Sequence, residues 1–251
     1  MRITLTFNAN SPIKFPIQYN HLLQAFIYRH LSSELSDFLH QEGFLYGKRR
    51  FKLFTFSNLM GKYRIHKKEG VIEFFPPFKL VVSSPVERFI QELAEILIRR
   101  SEVDLIGQKV LIEGIEVHFT PSIDGDLLIK MLSPMTMSST LRTPDGRSKR
   151  YYYSPFEREF STLMERNIQK KYELIHNSPA DGLHLEVIPE RVDKSCEKIL
   201  NFKGTVVKAW RGTYRLRGSP ELLHTAYECG LGVKNSQGFG CFEVVKRKEG
   251  H

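Results

Sequence analysis

Residues 230–240 read GLGVKNSQGFG: two G-x-G pairs, Gly230/Gly232 and Gly238/Gly240, around the insert Val233-Lys234-Asn235-Ser236-Gln237. Glycine has no Cβ, so it takes positive φ freely and lets another backbone come close. Four glycines around a basic, amide-rich insert make a loop whose N–H groups can face a phosphate, with Lys234 adding a cation and Asn235 an amide. Upstream, Pro220 to Cys229 (PELLHTAYEC) reads as a short helix, with Ser219 as N-cap and Pro220 at N1. Downstream, Cys241 to Val245 alternates like a strand. A dinucleotide-binding G-x-G-x-x-G follows a strand and opens a helix. This loop closes a helix and opens a strand, so it does not read as a Rossmann site. An ordinary helix C-cap and turn explains one or two of the glycines but not four.

The chain before the loop fits the same junction. Leu127 to Leu132 reads as a strand, and Pro155 to Tyr172 as a helix with Phe156, Phe160, Leu163 and Ile168 on its apolar side. Leu183 to Pro189 and Phe202 to Arg217 read as strands, the second broken near Arg211-Gly212, and Phe242 to Lys246 as the last strand. The loop therefore joins the last helix to the last strand of a β-α-β-β-α-β unit. The same order stands in the first half. Arg2 to Phe7 (RITLTF) alternates as a strand. Gln18 to Leu31 carries an apolar stripe of Tyr19, Leu22, Leu23, Phe26 and Ile27 at helical spacing, with His21, Gln24 and Tyr28 on a more polar face. A short helix over Ser33 to Gln41 ends near His40. Strands are expected over Phe51 to Phe56, Val71 to Val82 and Val110 to Phe119, with a helix from Ser84-Pro85 to Arg99, Pro85 at N1. Thr120 to Asp126 (TPSIDGD) has the composition of a linker. The expected fold class is α+β: two tandem ferredoxin-like βαββαβ domains, residues 1–120 and 126–247, the second bearing the glycine-rich loop.

Composition narrows the partner. The 251 residues carry 37 Lys+Arg against 28 Asp+Glu, a formal net charge of +9, which points to a polyanion. The three cysteines, Cys196, Cys229 and Cys241, show neither metal spacing nor a disulfide framework, and reduced thiols in a cytoplasmic protein are expected. The N-terminus alternates like a strand, not like a signal peptide. With no run of about 18 apolar residues, no membrane span is expected. No motif for a metal or nucleotide cofactor is present.

Three stretches together resemble a known family. GLGVKNSQGFG is similar to the glycine-rich loop of the CRISPR-associated endoribonucleases that cut precursor CRISPR RNA within its repeats (Cas family six, in the RAMP superfamily). PIQYNHLLQAFIY resembles their first helix, and FLHQEGF followed by FKLFTFSNL the segment leading into their second strand. The resemblance runs from the first strand to the last. It implies metal-independent cleavage by the RNA's own 2′-hydroxyl, leaving a 2′,3′-cyclic phosphate and a 5′-hydroxyl. It also implies a catalytic tyrosine, histidine and lysine, which fall on Tyr28, His40 and Lys52.

The chemistry suits those residue types. Such cleavage needs a base for the 2′-hydroxyl, an acid for the leaving 5′-oxygen and a cation for the phosphorane. Histidine as a residue type is suited to proton transfer at neutral pH, so His40 can serve as acid or base. Tyr28, with an ordinary pKa near ~10, is a base only beside a cation that favours phenolate; otherwise it orients the 2′-hydroxyl. Lys52 can be that cation and can stabilise transition-state charge. His21 is the rival histidine, since it shares a helix face with Tyr28.

RNA contacts are expected from Lys48, Arg49 and Arg50, and from a loop holding Arg142, Arg147, Lys149 and Arg150 beside Tyr151-Tyr152-Tyr153, whose rings suit base stacking. Arg211, Lys234 and Asn235 are expected contacts too, and Lys208, Arg215 and Arg217 extend the basic series. The expected partners are CRISPR repeat RNA, a second copy of the chain as a homodimer, and a CRISPR effector complex receiving product transiently. A different class of function fits the same fold: a non-catalytic subunit that holds repeat RNA in a ribonucleoprotein.

Overall fold

The computed structural model describes residues 1–100, 102–142 and 145–245. The expected end of the last strand at Lys246, and the domain end at 247, lie outside these residues. The molecule is α+β and holds two antiparallel sheets of ferredoxin-like topology. In the first, Arg2–Asn8 pairs with Val71–Ser83 on one side and Gln108–His118 on the other. Thr55–Phe56 and Met60–His66 pair with the far edge of Val71–Ser83. The second sheet has the spatial order Leu185–Arg191, Thr213–Gly218, Asp126–Met131, Phe242–Val244.

Helices α1 (Asn20–Arg29), α2 (Ser33–Asp37) and α3 (Glu87–Ile98) belong to the first half; α4 (Arg158–His176) and α5 (Pro220–Cys229) belong to the second. α1 turns Leu23, Phe26 and Ile27 inward, the stripe its spacing foretold. Phe7 meets Phe26 edge-on at 5.8 Å and stacks on Phe78 at 5.4 Å. Fully burying one such ring stabilises the fold by roughly 1.5–3 kcal/mol. A second core gathers Ile129, Phe160, Met164, Tyr214 and Leu223.

The two cores are riveted together. Arg2, 4 % exposed, donates to the Phe242 and Tyr227 carbonyl oxygens at 2.7 and 2.6 Å and lies over the Tyr227 ring. Ser133 Oγ donates to Phe56 O at 2.9 Å, and the N-terminal ammonium pairs with Glu228 at 2.6 Å.

Several elements differ from the sequence reading. The strand expected over Phe51 to Phe56 is two pieces: Arg49–Phe51, paired as a hairpin with Phe44–Tyr46, and Thr55–Phe56. Between them Leu53 takes a left-handed φ of 51° and buries its side chain with Phe54, so packing overrides the alternation. Pro85 precedes α3 and is not its N1 residue, because Val86 is the cap. α4 runs past Tyr172 to His176, ending at left-handed Asn177. The loop expected around Arg142 to Arg150 contains a hairpin, Ser138–Arg142 with Ser148–Tyr152. The break at Arg211-Gly212 separates Thr205–Trp210 from Thr213–Gly218. Among the described residues no helix is long and apolar enough to cross a membrane.

Candidate active site and nucleic-acid interface

Tyr28 sits near the end of α1, half-buried. His40 stands exposed on a π-turn, Phe38–Glu42, which continues α2. The wide turn closes when Gly43 N donates to Phe38 O at 2.7 Å, and Gly43 leaves it with φ +65°. This irregular turn brings the His40 ring edge-on to Tyr28, centroids 6.2 Å apart. Lys52 follows the Arg49–Phe51 strand, and its Nζ donates to the His40 carbonyl oxygen at 3.2 Å. A Cβ on Gly43 would lie 3.2 Å from Lys52 Nζ and 2.6 Å from Phe51 O, so a glycine is needed where the lysine passes. The structure thus gathers all three residues that the resemblance singled out. The rival, His21, instead sets its ring edge-on to Phe202.

The electrostatics sort the three. Burial pushes the Tyr28 hydroxyl up to about 12, so at neutral pH it is a neutral phenol. Burial, and then the neighbouring Arg50 guanidinium, lowers the Lys52 ammonium below its ordinary range. A phenolate base is therefore disfavoured. Tyr28 remains a hydrogen-bond donor.

Beside Lys52 opens a cleft of about 680 Å³ between the two halves. Its walls carry Arg49, Arg50 and Lys52 from the first half and Arg150 and Lys234 from the second. Arg50 also donates to the Gln41 carbonyl, tying its hairpin to the π-turn. Lys48, Arg142, Arg147 and Lys149 are exposed on the two flanking hairpins, Arg147 paired with Asp145 at 2.5 Å. Arg211 is exposed outside the cleft lining, close enough to Tyr19 for its charge to act on that phenol. Lys208 is ion-paired to Glu197, Arg215 to Asp126 and Glu190, and Arg217 to Asp126, which neutralises these members of the basic row expected there. Of the three tyrosines expected to stack on bases, Tyr152 packs inward against Val207, Ala209 and Phe239, and Tyr151 donates to Glu157 at 2.8 Å.

The glycine loop differs most from its sequence reading. Leu231 N donates to Gly240 O, Val233 N to Thr136 O, Gln237 N to Lys234 O, Gly238 N to Asn235 O and Gly240 N to Pro134 O. These N–H groups are spent within the protein instead of facing a phosphate. Asn235 is likewise committed: its Nδ2 donates to Leu231 O and Phe239 O, both at 3.0 Å, and its Oδ1 accepts from Lys171 at 2.8 Å. The glycines allow close approach. A Cβ at 238 would lie 2.6 Å from the Phe56 ring and one at 230 would lie 2.8 Å from Thr55 Oγ1. Lys234, at φ 64°, keeps its ammonium on the cleft wall, and burial lowers its pKa.

Sequence reasoning missed Lys171, in α4. It is 2 % exposed, and its Nζ also donates to Gly230 O at 2.8 Å and Gly232 O at 3.0 Å. A lysine inside an amphipathic helix carries no mark of burial. The only hint was its spacing, three and seven residues after the apolar positions Ile168 and Met164. Among the described residues, no three His, Cys, Asp or Glu side chains cluster as a metal site.

Comparison with known proteins places the chain. Residues 116–244 match the family model of the C-terminal part of CRISPR-associated protein Cas6, and residues 14–116 match the model of the N-terminal part. A CRISPR-associated endoribonuclease Cas6 of Methanocaldococcus jannaschii is 28 % identical over 99 % of this chain and 94 % of its own. That of Pyrococcus furiosus is 28 % identical over 93 % and 86 %. A solved structure described as a CRISPR-associated protein Cas6 superposes with a TM-score of 0.79 at 25 % identity, covering 98 % of this chain and 99 % of its own. A RAMP protein described as binding different RNA substrates shares the fold, with a TM-score of 0.80 at 20 % identity, over 98 % of this chain and all of its own.

Proposed function

The chain belongs to the CRISPR-associated Cas6 family and is an endoribonuclease of it, and we propose that it cuts precursor CRISPR RNA within the repeats through Tyr28, His40 and Lys52. The observation that carries this reading is the convergence of those three residues, from a helix, a π-turn and a strand break, with Lys52 lining a basic cleft. The 2′-hydroxyl attacks the adjacent phosphorus, the P–O5′ bond breaks, and the products are a 2′,3′-cyclic phosphate and a 5′-hydroxyl. The attacking hydroxyl's proton leaves and the 5′-oxygen gains one, so the step balances without an outside reactant. His40, exposed beside Lys52, is the proton-transfer group. Lys52 places its ammonium against the developing phosphorane charge. Tyr28, neutral at working pH, donates a hydrogen bond that orients the reacting groups.

Arg49, Arg50, Arg150 and Lys234 hold phosphates along the cleft, and Lys48, Arg142, Arg147 and Lys149 extend the track on its flanking hairpins. Arg211 makes a more distant contact. The domains of this reading are residues 1–120 and 126–247. Its partners are repeat RNA, a second copy of the chain and an effector complex that takes over the product.

The experiment incubates purified protein with repeat RNA from its host in excess EDTA, with a parallel strand made 2′-deoxy at the cut site. One discrete product that disappears with the 2′-deoxy strand is expected. Binding without cleavage would favour a subunit that only holds RNA, and products with 3′-hydroxyl ends would rule out attack by the 2′-hydroxyl.

A further inference from the structure

On α1, Asn20, Gln24 and Tyr28 are spaced by four residues and so form one stripe along the helix. Asn20 is buried and Gln24 half-buried, and both side chains are bonded to the second half of the chain. Asn20 Nδ2 donates to Gln237 O at 3.1 Å and Gly238 O at 3.2 Å, and Gln24 Nε2 donates to Ser236 O at 2.7 Å. The glycine loop of the second half therefore grips the helix of the first half one and two turns before Tyr28. What fixes the loop is Lys171. Its buried ammonium takes three acceptors, two of them loop carbonyls and the third Asn235, whose amide in turn ties Leu231 to Phe239. These bonds span the loop from its first glycine to its last turn.

A buried ammonium carries a large desolvation cost, offset here only through its three bonds, and an apolar side chain of similar length would leave three acceptors without that donor. The charge is therefore better explained by what its three bonds hold in place. The geometry points to Lys171 as a positioning residue for cleavage: through the glycine loop it sets the placement of α1, and so of the Tyr28 hydroxyl against His40 and the cleft. Lys171 touches no RNA in this account. It acts through Ser236 and Gln24. Small misplacements of a positioned group cost large factors in rate, while binding spread over many cleft cations is affected much less. This inference rests on the cleavage reading above.

The test is a double-mutant cycle on the full chain, reading two quantities. One is the single-turnover cleavage rate at saturating protein; the other is Kd for uncleavable 2′-deoxy repeat RNA. Gln24→Ala cuts the link between loop and helix and leaves Lys171 in place. Lys171→Met removes the three bonds while keeping side-chain length. Each is expected to lower the rate by about tenfold or more with Kd changed less than about threefold. The two losses should not multiply in the double variant, and each should shrink in a Tyr28→Phe background. A merely structural lysine would instead lower rate and melting temperature by amounts independent of Gln24 and Tyr28. Multiplying losses, or a Gln24→Ala rate equal to wild type, overturn the proposal. Should Lys171→Met not fold, the Gln24→Ala and Tyr28→Phe pair decides by itself. A wild-type chain that binds RNA and never cuts it overturns the cleavage reading first, and is told apart because no variant is needed to see it.

Discussion

The proposed catalytic trio and the glycine loop meet at one cleft, lined by Lys52 and by Gly232 to Gln237, and are built in opposite ways. Tyr28, His40 and Lys52 stand on a helix end, a π-turn and a break in a strand, with His40 exposed and the contacts among them few and long. The loop is closed on itself by backbone bonds, a half-buried asparagine amide and a buried ammonium, and its glycines are packed against Thr55, Phe56 and Thr136. Groups that must meet a substrate are left short of partners. Groups that must hold a shape are given more partners than they need. A glycine-rich, basic stretch that resembles a phosphate cradle in sequence is here a strut bonded to the rest of the protein, and the irregular stretch holds the proposed catalytic residues.

That contrast can be broken by mutation. His40→Ala should lower the single-turnover rate by about 10²–10⁴-fold with RNA affinity retained, since one proton-transfer group is removed from an exposed turn. A rate within threefold of wild type would take His40 out of the site. Gly240→Ala should do the reverse, costing stability first. Its φ of 82° and its closeness to the Leu231 backbone leave no room for a Cβ, so about 1–3 kcal/mol or more is expected in urea unfolding. Gly47→Ala, at φ 55° in an open turn with nothing near, should cost less. Equal costs at the two positions would mean that the loop is not the rigid partner of the pair.

Titration sharpens the comparison. The Lys171 ammonium is lowered by burial from 10.5 to about 8 in the fold, so between those values the unfolded chain holds more protons and stability from this group rises with pH. The difference in unfolding free energy between wild type and Lys171→Met should therefore shift in favour of wild type from pH 8 to 10.5. A flat difference would place the lysine in contact with water. Cleavage should move the other way on the proposal that Lys52 acts as a cation: activity is present below its lowered pKa and falls as pH rises through it. A rate that keeps rising past the ordinary lysine value of 10.5 would remove that role. The smallest effect is expected from single cleft cations. Lys234→Gln should reduce the salt slope of RNA binding by about one unit and Asn235→Ala should leave the slope unchanged while lowering stability. Equal slopes for wild type and Lys234→Gln would take that ammonium off the RNA path.

Much of this was legible in the sequence, for reasons local to it. The period-two and helical patterns, the caps at Ser219 and Pro220, and the order of elements determined two βαββαβ units, and the family resemblance named Tyr28, His40 and Lys52. What the chain order could not express was pairing between residues far apart. The positive φ at Leu53, whose carbonyl accepts from Ser84, and the acids that neutralise Arg215 and Arg217 involve contacts far along the chain, while the π-turn that lifts His40 has no period of its own in the sequence. Lys171 was silent because a polar residue in a helix is read as solvated until the fold closes over it. Local periodicity is written in the side chains' own spacing. Which N–H meets which carbonyl in a loop, and which lysine loses its water, is decided only when the two halves pack and the low dielectric between them forces every polar group to find a partner.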